Sequence, residues 1–266
     1  MPFLSLPSSS QLRLYCVERT IHTFLNHGND MMNDQEVERL ARPEFWDERY
    51  STVETEAPTH EWFRTFDDLL PFFEANLFAP RGPSTNPKIL HLGSGDSTIP
   101  RDLAERGYND QLCVDFSKVA VDLMSERHSE IKGIEWRLLD VCNMDSIPSG
   151  SIDVAFDKGT LDAMIHGSPW SPPQDVVEKT AAYIQEVSVV LSLTETSAVH
   201  RVLKNDGLFL YVTYRPQHFI MPRLNCPGVD WDIEVVVMGG DASLPYHGFL
   251  VTKKPPAANA EGRAGG

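Results

Sequence analysis

Two closely spaced glycines and a series of acids behind short apolar runs are the residues of this 266-residue chain whose types and order could do chemistry. Gly93 and Gly95 follow the run KILHL at 88–92. A turn built on glycines bends tightly and lets a ligand approach bare backbone. Asp115 is the penultimate residue of the next run, QLCVDF at 111–116, and lies twenty residues beyond Gly95. A carboxylate there can accept hydrogen bonds from both hydroxyls of a ribose. Asp140 follows a third run, IEWRLL at 134–139, placed to receive a donor such as an adenine amino group. Gly-x-Gly alone is a weak signal; with an acid at the ends of the next two runs it is much stronger. The plainer readings are that Asp115 caps a helix ahead of Ser117 and that Asp140 is a solvated turn residue.

The same spacing could serve a nicotinamide or flavin dinucleotide, but the details oppose it. A dinucleotide fingerprint calls for a third glycine at position 98, so that the helix start can cradle a pyrophosphate. The chain has Thr98 there, two residues after Asp96, whose charge would repel the phosphates. An adenosyl ligand without phosphates tolerates Asp96, so S-adenosylmethionine fits better than NAD.

These acids can converge only if the runs are strands of one sheet. Further runs at 152–156, 208–214, 231–238 and 247–252 bring the expected strands to seven, the fifth launched by a turn at Lys204-Asn205-Asp206-Gly207. Helical patterns fill the gaps at 97–106 and 117–127, each starting at a hydroxyl N-cap candidate. The second carries Val119, Ala120, Leu123 and Met124 on one face. Strand–helix alternation implies a parallel sheet with right-handed crossovers and helices on both faces. The last two runs lack a helix-length gap and read as an antiparallel C-terminal hairpin. The expected fold is therefore α/β: a seven-stranded Rossmann-like sheet of methyltransferase type, mostly parallel.

The run Phe156-Asp157-Lys158-Gly159-Thr160-Leu161-Asp162-Ala163, together with Phe45-Trp46-Asp47-Glu48-Arg49-Tyr50 and Glu61-Trp62-Phe63, resembles the elongation factor 1-alpha lysine methyltransferase 4 family and the related methyltransferase-like 13 proteins. The likeness runs from about residue 44 to 253. It implies that Trp46, Tyr50 and Trp62 close over the cofactor from the N-terminal side, and that Gly93 supplies the turn. It also implies that Asp115 with Phe116 holds ribose and adenine, that Asp140 with Val141 meets the adenine edge, and that Lys158 borders the methionine part. Independently, Trp46 and Tyr50 are four residues apart and so share a helical face, and aromatic faces attract a sulfonium cation. Ordinary core packing is the alternative for these aromatics.

The chain departs from the family pattern in several places. Asp157 stands for the usual Glu and Ser94 for the usual Cys. His91 falls where many methyltransferases have an acid and reads as a packed core histidine rather than a catalyst. Relatives read E-V-S-R-V-L without a break, whereas here residues 189–200 separate Ser188 from Arg201. Twelve extra residues would rotate a continuous helix by about 120° and lengthen it by about 18 Å. A looped-out insertion or a retained intron is therefore expected, and Met32 is a candidate for the true start. The domain plan is an N-terminal extension over 1–36, poorly ordered, a methyltransferase domain over 37–254, and a disordered tail over 255–266.

Composition bounds the partners. The chain holds 23 basic against 38 acidic residues, a formal net charge of −15. Such a surface repels phosphate backbones and attracts basic proteins, so nucleic acid is excluded as a broad-face partner. No run approaches 18 apolar residues, so no membrane partner is expected. The four cysteines are scattered without zinc-like spacing, and no metal is expected. Free thiols imply a reducing compartment, with the cytoplasm preferred to a mitochondrial presequence within 1–29.

The resemblance implies a protein substrate, elongation factor 1-alpha, and a lysine acceptor. A lysine must lose a proton before attack. With a pKa near 10.4, only about one in 10³ is neutral at pH 7, a cost of roughly 4 to 5 kcal/mol. Desolvation beside a cationic cofactor lowers that cost, so no general base is assigned. Asp157 and Asp162 are candidates for orienting the amine, or for capping. Two other readings stay open: transfer to a small molecule or another protein residue, and a cofactor-binding interaction protein without activity.

Overall fold

In the computed structural model, residues 34–52, 61–184, 198–239 and 245–254 are described. The apolar run after Pro87 forms β1 (Ile89–Leu92), buried at every residue. It pairs in parallel with β2 (Gln111–Asp115) on one side and β4 (Ile152–Lys158) on the other. Strands covered on both faces need no alternation of polarity, which is why these runs read as continuous apolar stretches. β3 (Ile134–Leu138) lies parallel to β2, and β5 (Leu203–Thr213) parallel to β4. β6 (Trp231–Met238) and β7 (Tyr246–Lys253) pair antiparallel, with β7 also antiparallel to β5. The order is β3-β2-β1-β4-β5-β7-β6, so the expected Rossmann-like sheet with its antiparallel C-terminal strands is present. Chain order reverses between β1 and β4, and ligands of open α/β sheets sit at that switch point.

One expectation about β5 is corrected. The turn at Lys204–Gly207 does not precede the strand; it is an irregularity inside it. Leu203 pairs with Ile152 and Leu208 with Val154, so five residues of β5 span what two cover on β4. Polar turn residues are tolerated there because a bulge frees them from the ladder.

Successive residues of the central strands face opposite cores. Leu90, Ala155, Phe209 and Tyr211 join one cluster with α7 (Gln174–Ile184), α8 (Ala198–Val202) and α9 (Gln217–Leu224). Ile89, Val154, Phe156, Leu208 and Leu210 join the other with α3 (Phe66–Phe73) and α4 (Ile99–Ala104). α3 starts at Thr65, whose side chain accepts from the Asp68 N–H while Asp68 returns a bond to the Thr65 N–H. Its residues Phe66, Leu69, Phe72 and Phe73 form the buried stripe. Truncating Phe73, 1% exposed, to alanine would cost about 3 to 5 kcal/mol.

α1 (Asp34–Arg39) and α2 (Pro43–Ser51) precede α3, and α2 packs on α5 (Lys118–Arg127). Ser117 caps α5 by accepting from the Ala120 N–H at 3.2 Å. Ala120, Val121, Leu123 and Met124 are its buried face, with Val121 in place of the expected Val119. α6 (Thr160–Met164) follows β4 directly.

Residues 1–33 of the expected extension and the tail from 255 lie outside the described residues, whereas residues 34–36, also assigned to the extension, begin α1. Residues 189–197 of the insertion lie outside them too. Its last three, 198–200, are instead the first residues of α8, which buries Val199 and Val202 completely. The Arg201 segment thus keeps a buried face, and Arg201 donates to the carbonyls of Met144 and Ile147, both at 2.8 Å.

Candidate functional site

At the carboxyl ends of the central strands lies a cavity of about 280 Å³. All nine residues singled out from the sequence border it: Trp46, Tyr50, Trp62, Gly93, Asp115, Phe116, Asp140, Val141 and Lys158. They come from α2, the segment before α3, and the ends of β1, β2, β3 and β4.

The floor is the turn after β1. Gly93 and Gly95 have φ of +60° and +50°, a region that side-chain-bearing residues enter at about 1 to 2 kcal/mol each. Space forbids a side chain as well. A Cβ on Gly93 would run into the Thr160 side chain, and one on Gly95 would come within 2.5 Å of the Tyr50 hydroxyl oxygen. Thr160 holds this turn from the β4 side, donating to the carbonyl of Leu92 at 2.7 Å.

Asp115 ends β2 and is 6% exposed. Its Oδ2 accepts from the Gly95 N–H at 2.8 Å and its Oδ1 from the Ser117 N–H at 2.9 Å. Burial pushes its carboxyl up to about 6 and the charge of Asp47 adds to the rise, while the backbone N–H donors oppose it. Each oxygen keeps a lone pair beyond its backbone bond. Asp140 is exposed at the end of β3, its Oδ1 accepting from the Cys142 N–H at 2.8 Å, and this turn carries the buried Val141 to the wall.

The roof is aromatic. Trp46 and Tyr50 stack with centroids 5.8 Å apart and planes at 24°, and Trp62 meets Trp46 edge-on at 5.6 Å. The Trp46 indole N–H is satisfied by the Leu40 carbonyl at 2.7 Å, so its ring position is set by α1–α2 geometry. The Arg49 guanidinium lies 4.8 Å from the centroid of Trp62.

Lys158, at the end of β4, is not a free cation beside the cavity. Its Nζ lies 2.6 Å from Glu61 Oε1 and donates to the Trp62 carbonyl at 2.5 Å, with the two side chains 5% and 9% exposed.

Two acids proposed for orienting an amine separate in role. Asp157 is fully buried and does not border the cavity; it caps α6 through the N–H groups of Thr160 and Leu161 and accepts from the Tyr183 hydroxyl. Burial pushes it up to about 7. Asp162 does border the cavity, but it accepts from Tyr211 and Thr213 at 2.7 and 2.6 Å and faces Arg215 at 3.4 Å. His91 is a packed histidine, as expected. Its Nε2 meets Gln111 Oε1 at 2.7 Å, and burial pushes it down to about 4, so it is neutral at pH 7.

Five residues escaped the sequence reading of the site: Asp47, Glu61, Phe63, Thr160 and Tyr214. Asp47, Glu61, Phe63 and Thr160 stood inside recognised blocks, but their partners lie tens of residues away, which spacing cannot reveal. Phe63 adopts φ +64° and meets Tyr214 edge-on at 5.0 Å, forming the wall opposite the Asp140 end. No group of His, Cys, Asp and Glu among the described residues could hold a metal ion.

A sheet ordered 3-2-1-4-5-7-6, whose glycine turn faces a carboxylate instead of a phosphate cradle, is that of the S-adenosylmethionine-dependent methyltransferases, and this chain is one of them. The glycine cradle, the open lone pairs of Asp115 and the aromatic roof fit an adenosyl sulfonium. No family model matches the chain. The mouse (Mus musculus) EEF1A lysine methyltransferase 4 is 31% identical over 212 residues, 79% of this chain and 74% of the relative. Its Bos taurus counterpart is 29% identical over 214 residues, with the same coverage. A SAM-dependent methyltransferase of Leishmania major shares the fold with TM-score 0.51 at 12% identity, covering 85% of this chain and 94% of that one. The chain belongs to the EEF1A lysine methyltransferase 4 family.

Proposed function

We propose that the chain transfers the methyl group of S-adenosylmethionine to a lysine of a protein, and that this protein is elongation factor 1-alpha, the substrate for which its relatives are named. The observation that carries the reading is the Asp115–Gly95 bond, which joins a ribose-binding carboxylate to a turn with no room for a side chain.

In this reading Asp115 accepts from the ribose hydroxyls and Phe116 packs on the adenine. Asp140 and Val141 meet the adenine edge, and Gly93 opens the floor. Trp46, Tyr50 and Trp62 cover the ligand, and Lys158 lies beside the methionine end. The bound sulfonium supplies the electrophilic methyl. The chain supplies collinear positioning, which accounts for much of the acceleration in an in-line displacement. Phe63 and Tyr214, on the wall away from Asp140, enclose the acceptor amine. An ammonium moved from water into that aromatic enclosure loses hydration, which favours its neutral form. No side chain is required as a base: Asp157 is buried under α6, and both oxygens of Asp162 are engaged.

The net charge of −15 supports a basic protein partner over a nucleic acid. The free cysteines Cys113 and Cys142 support a reducing compartment, and we read it as the cytoplasm. No helix among the described residues is long and apolar enough to cross a membrane.

The test is purified chain incubated with radiolabelled S-adenosylmethionine and cell extract. One labelled protein band at the mass of elongation factor 1-alpha, with the label on lysine, is expected. Label confined to small molecules would refute the protein acceptor.

A further inference from the structure

The buried pair Glu61–Lys158 has more hydrogen bonds than an ion pair needs. Lys158 Nζ lies 2.6 Å from Glu61 Oε1. The same carboxylate accepts from Ser97 Oγ and from the Thr98 N–H, both at 2.8 Å, while the Thr98 hydroxyl, 3.0 Å away, is shared with Asp102 Oδ2 at 2.8 Å. Three donors from two separate elements, the end of β4 and the start of α4, therefore converge on one side chain of the segment that carries Trp62. On its other side, Lys158 donates to the Trp62 carbonyl, so the ammonium grips the same segment twice.

The position of this cluster gives it consequence. Trp62 is the member of the aromatic roof that does not belong to α2; it meets Trp46 of that helix edge-on at 5.6 Å and lies beneath the Arg49 guanidinium at 4.8 Å. Ser97 and Lys158 both border the cavity, one at the glycine turn and one at the β4 end. A ligand lying between that turn and the roof is held by both, and parting roof and turn loosens that hold. Parting them at Glu61 exposes a carboxylate and an ammonium that are otherwise 9% and 5% exposed, and breaks the hydroxyl bonds with them.

We propose that Glu61 is a positioning residue: through Lys158, Ser97 and Thr98 it latches the Trp62 segment over the cofactor cavity and sets how fast S-adenosylmethionine and its demethylated product leave. The inference rests on the cavity being the cofactor site. Lys158 is then the fixed anchor of the latch, and its charge is compensated by Glu61. A neutral amide at position 61 accepts more weakly and leaves the buried ammonium unpaired. Removing both charges leaves a looser but uncharged contact.

The test is stopped-flow release of S-adenosylhomocysteine from the full chain, followed by tryptophan fluorescence, with thermal melting in parallel. Glu61→Gln is expected to release the ligand about tenfold faster while its association rate stays within twofold of the parent. The double variant Glu61→Gln with Lys158→Met is expected to recover at least threefold of that loss. If Glu61→Gln fails to fold, Ser97→Ala, which removes one hydroxyl donor to Glu61 and keeps the ion pair, is expected to release about threefold faster. Unchanged release from Glu61→Gln, even with a lower melting temperature, overturns the latch and leaves Glu61 a merely structural role; if Asp115→Asn still weakens binding, the cavity assignment survives that failure. Release unaffected by both Glu61→Gln and Asp115→Asn overturns the cavity assignment itself.

Discussion

Tyr50 stands directly over Gly95: a methyl group on that glycine would come within 2.5 Å of the tyrosine hydroxyl oxygen. The roof and the floor of the cavity therefore meet at one point, and the glycine is required for space as well as for its φ of +50°. Gly95→Ala should push Tyr50 away and tilt the N–H that Asp115 accepts. Its expected effects are a loss of about 1 to 2 kcal/mol of stability and about tenfold in S-adenosylhomocysteine affinity. Chemical denaturation and calorimetry check the two effects separately. A variant with parent-like affinity would show that the turn does not touch the ligand.

The pH dependence of folding has a definite sign. Asp115 and Asp157 are pushed up to about 6 and about 7 by burial, so between their ordinary value near 3.8 and those values the folded chain binds more protons than the unfolded one. Their contribution is present at low pH and is lost as pH rises through 6 to 7. His91, pushed down to about 4, acts in the opposite direction: below about 6.5 the unfolded chain takes up a proton that the folded chain refuses. The Asp157 contribution is isolated by comparison with Asp157→Asn: the melting temperature of the ligand-free parent is expected to fall relative to the variant as pH rises from about 4 to about 7, and the difference is expected to stay constant above 7. A difference between the two that does not change from pH 4 to 7 would contradict the assignment.

In the proposed reading, Phe63 and Tyr214 enclose the acceptor amine while Asp115, Phe116 and Asp140 hold the cofactor. Tyr214→Ala removes the ring that meets Phe63 at 5.0 Å without touching Asp115, Phe116 or Asp140. Transfer to elongation factor 1-alpha should fall at least tenfold, while S-adenosylhomocysteine affinity stays within threefold. Single-turnover assays and calorimetry on one preparation give both numbers. An equal loss of affinity and transfer would move Tyr214 to the cofactor side.

What could be read from the chain alone followed from locality. Each strand announces itself as a short apolar run, and the acids at the ends of β2 and β3 are fixed by sequence order to lie near the turn after β1. Trp46 and Tyr50, one helical turn apart, could be paired for the same reason. Failures came where distant contacts override local preference. The Lys204–Gly207 stretch has strong turn chemistry, yet Leu203 before it pairs with Ile152 and carries the strand backward through the bulge. For Asp157 the two readings of the sequence, orienting an amine or capping, separate only in the fold: three donors from α6 and Tyr183 leave it the cap. Glu61 was legible only as part of a block, because Ser97, Thr98 and Lys158 reach it across the fold.

The central claim is that the Asp115 carboxylate, fixed to Gly95 at 2.8 Å, holds the nucleoside of the cofactor. Titration calorimetry of the parent chain and Asp115→Ala with S-adenosylhomocysteine tests it most directly. Micromolar binding by the parent and at least tenfold weaker binding by the variant, about 1.4 kcal/mol, is the expected result. Equal affinities, or a parent chain that takes up no ligand, would contradict it.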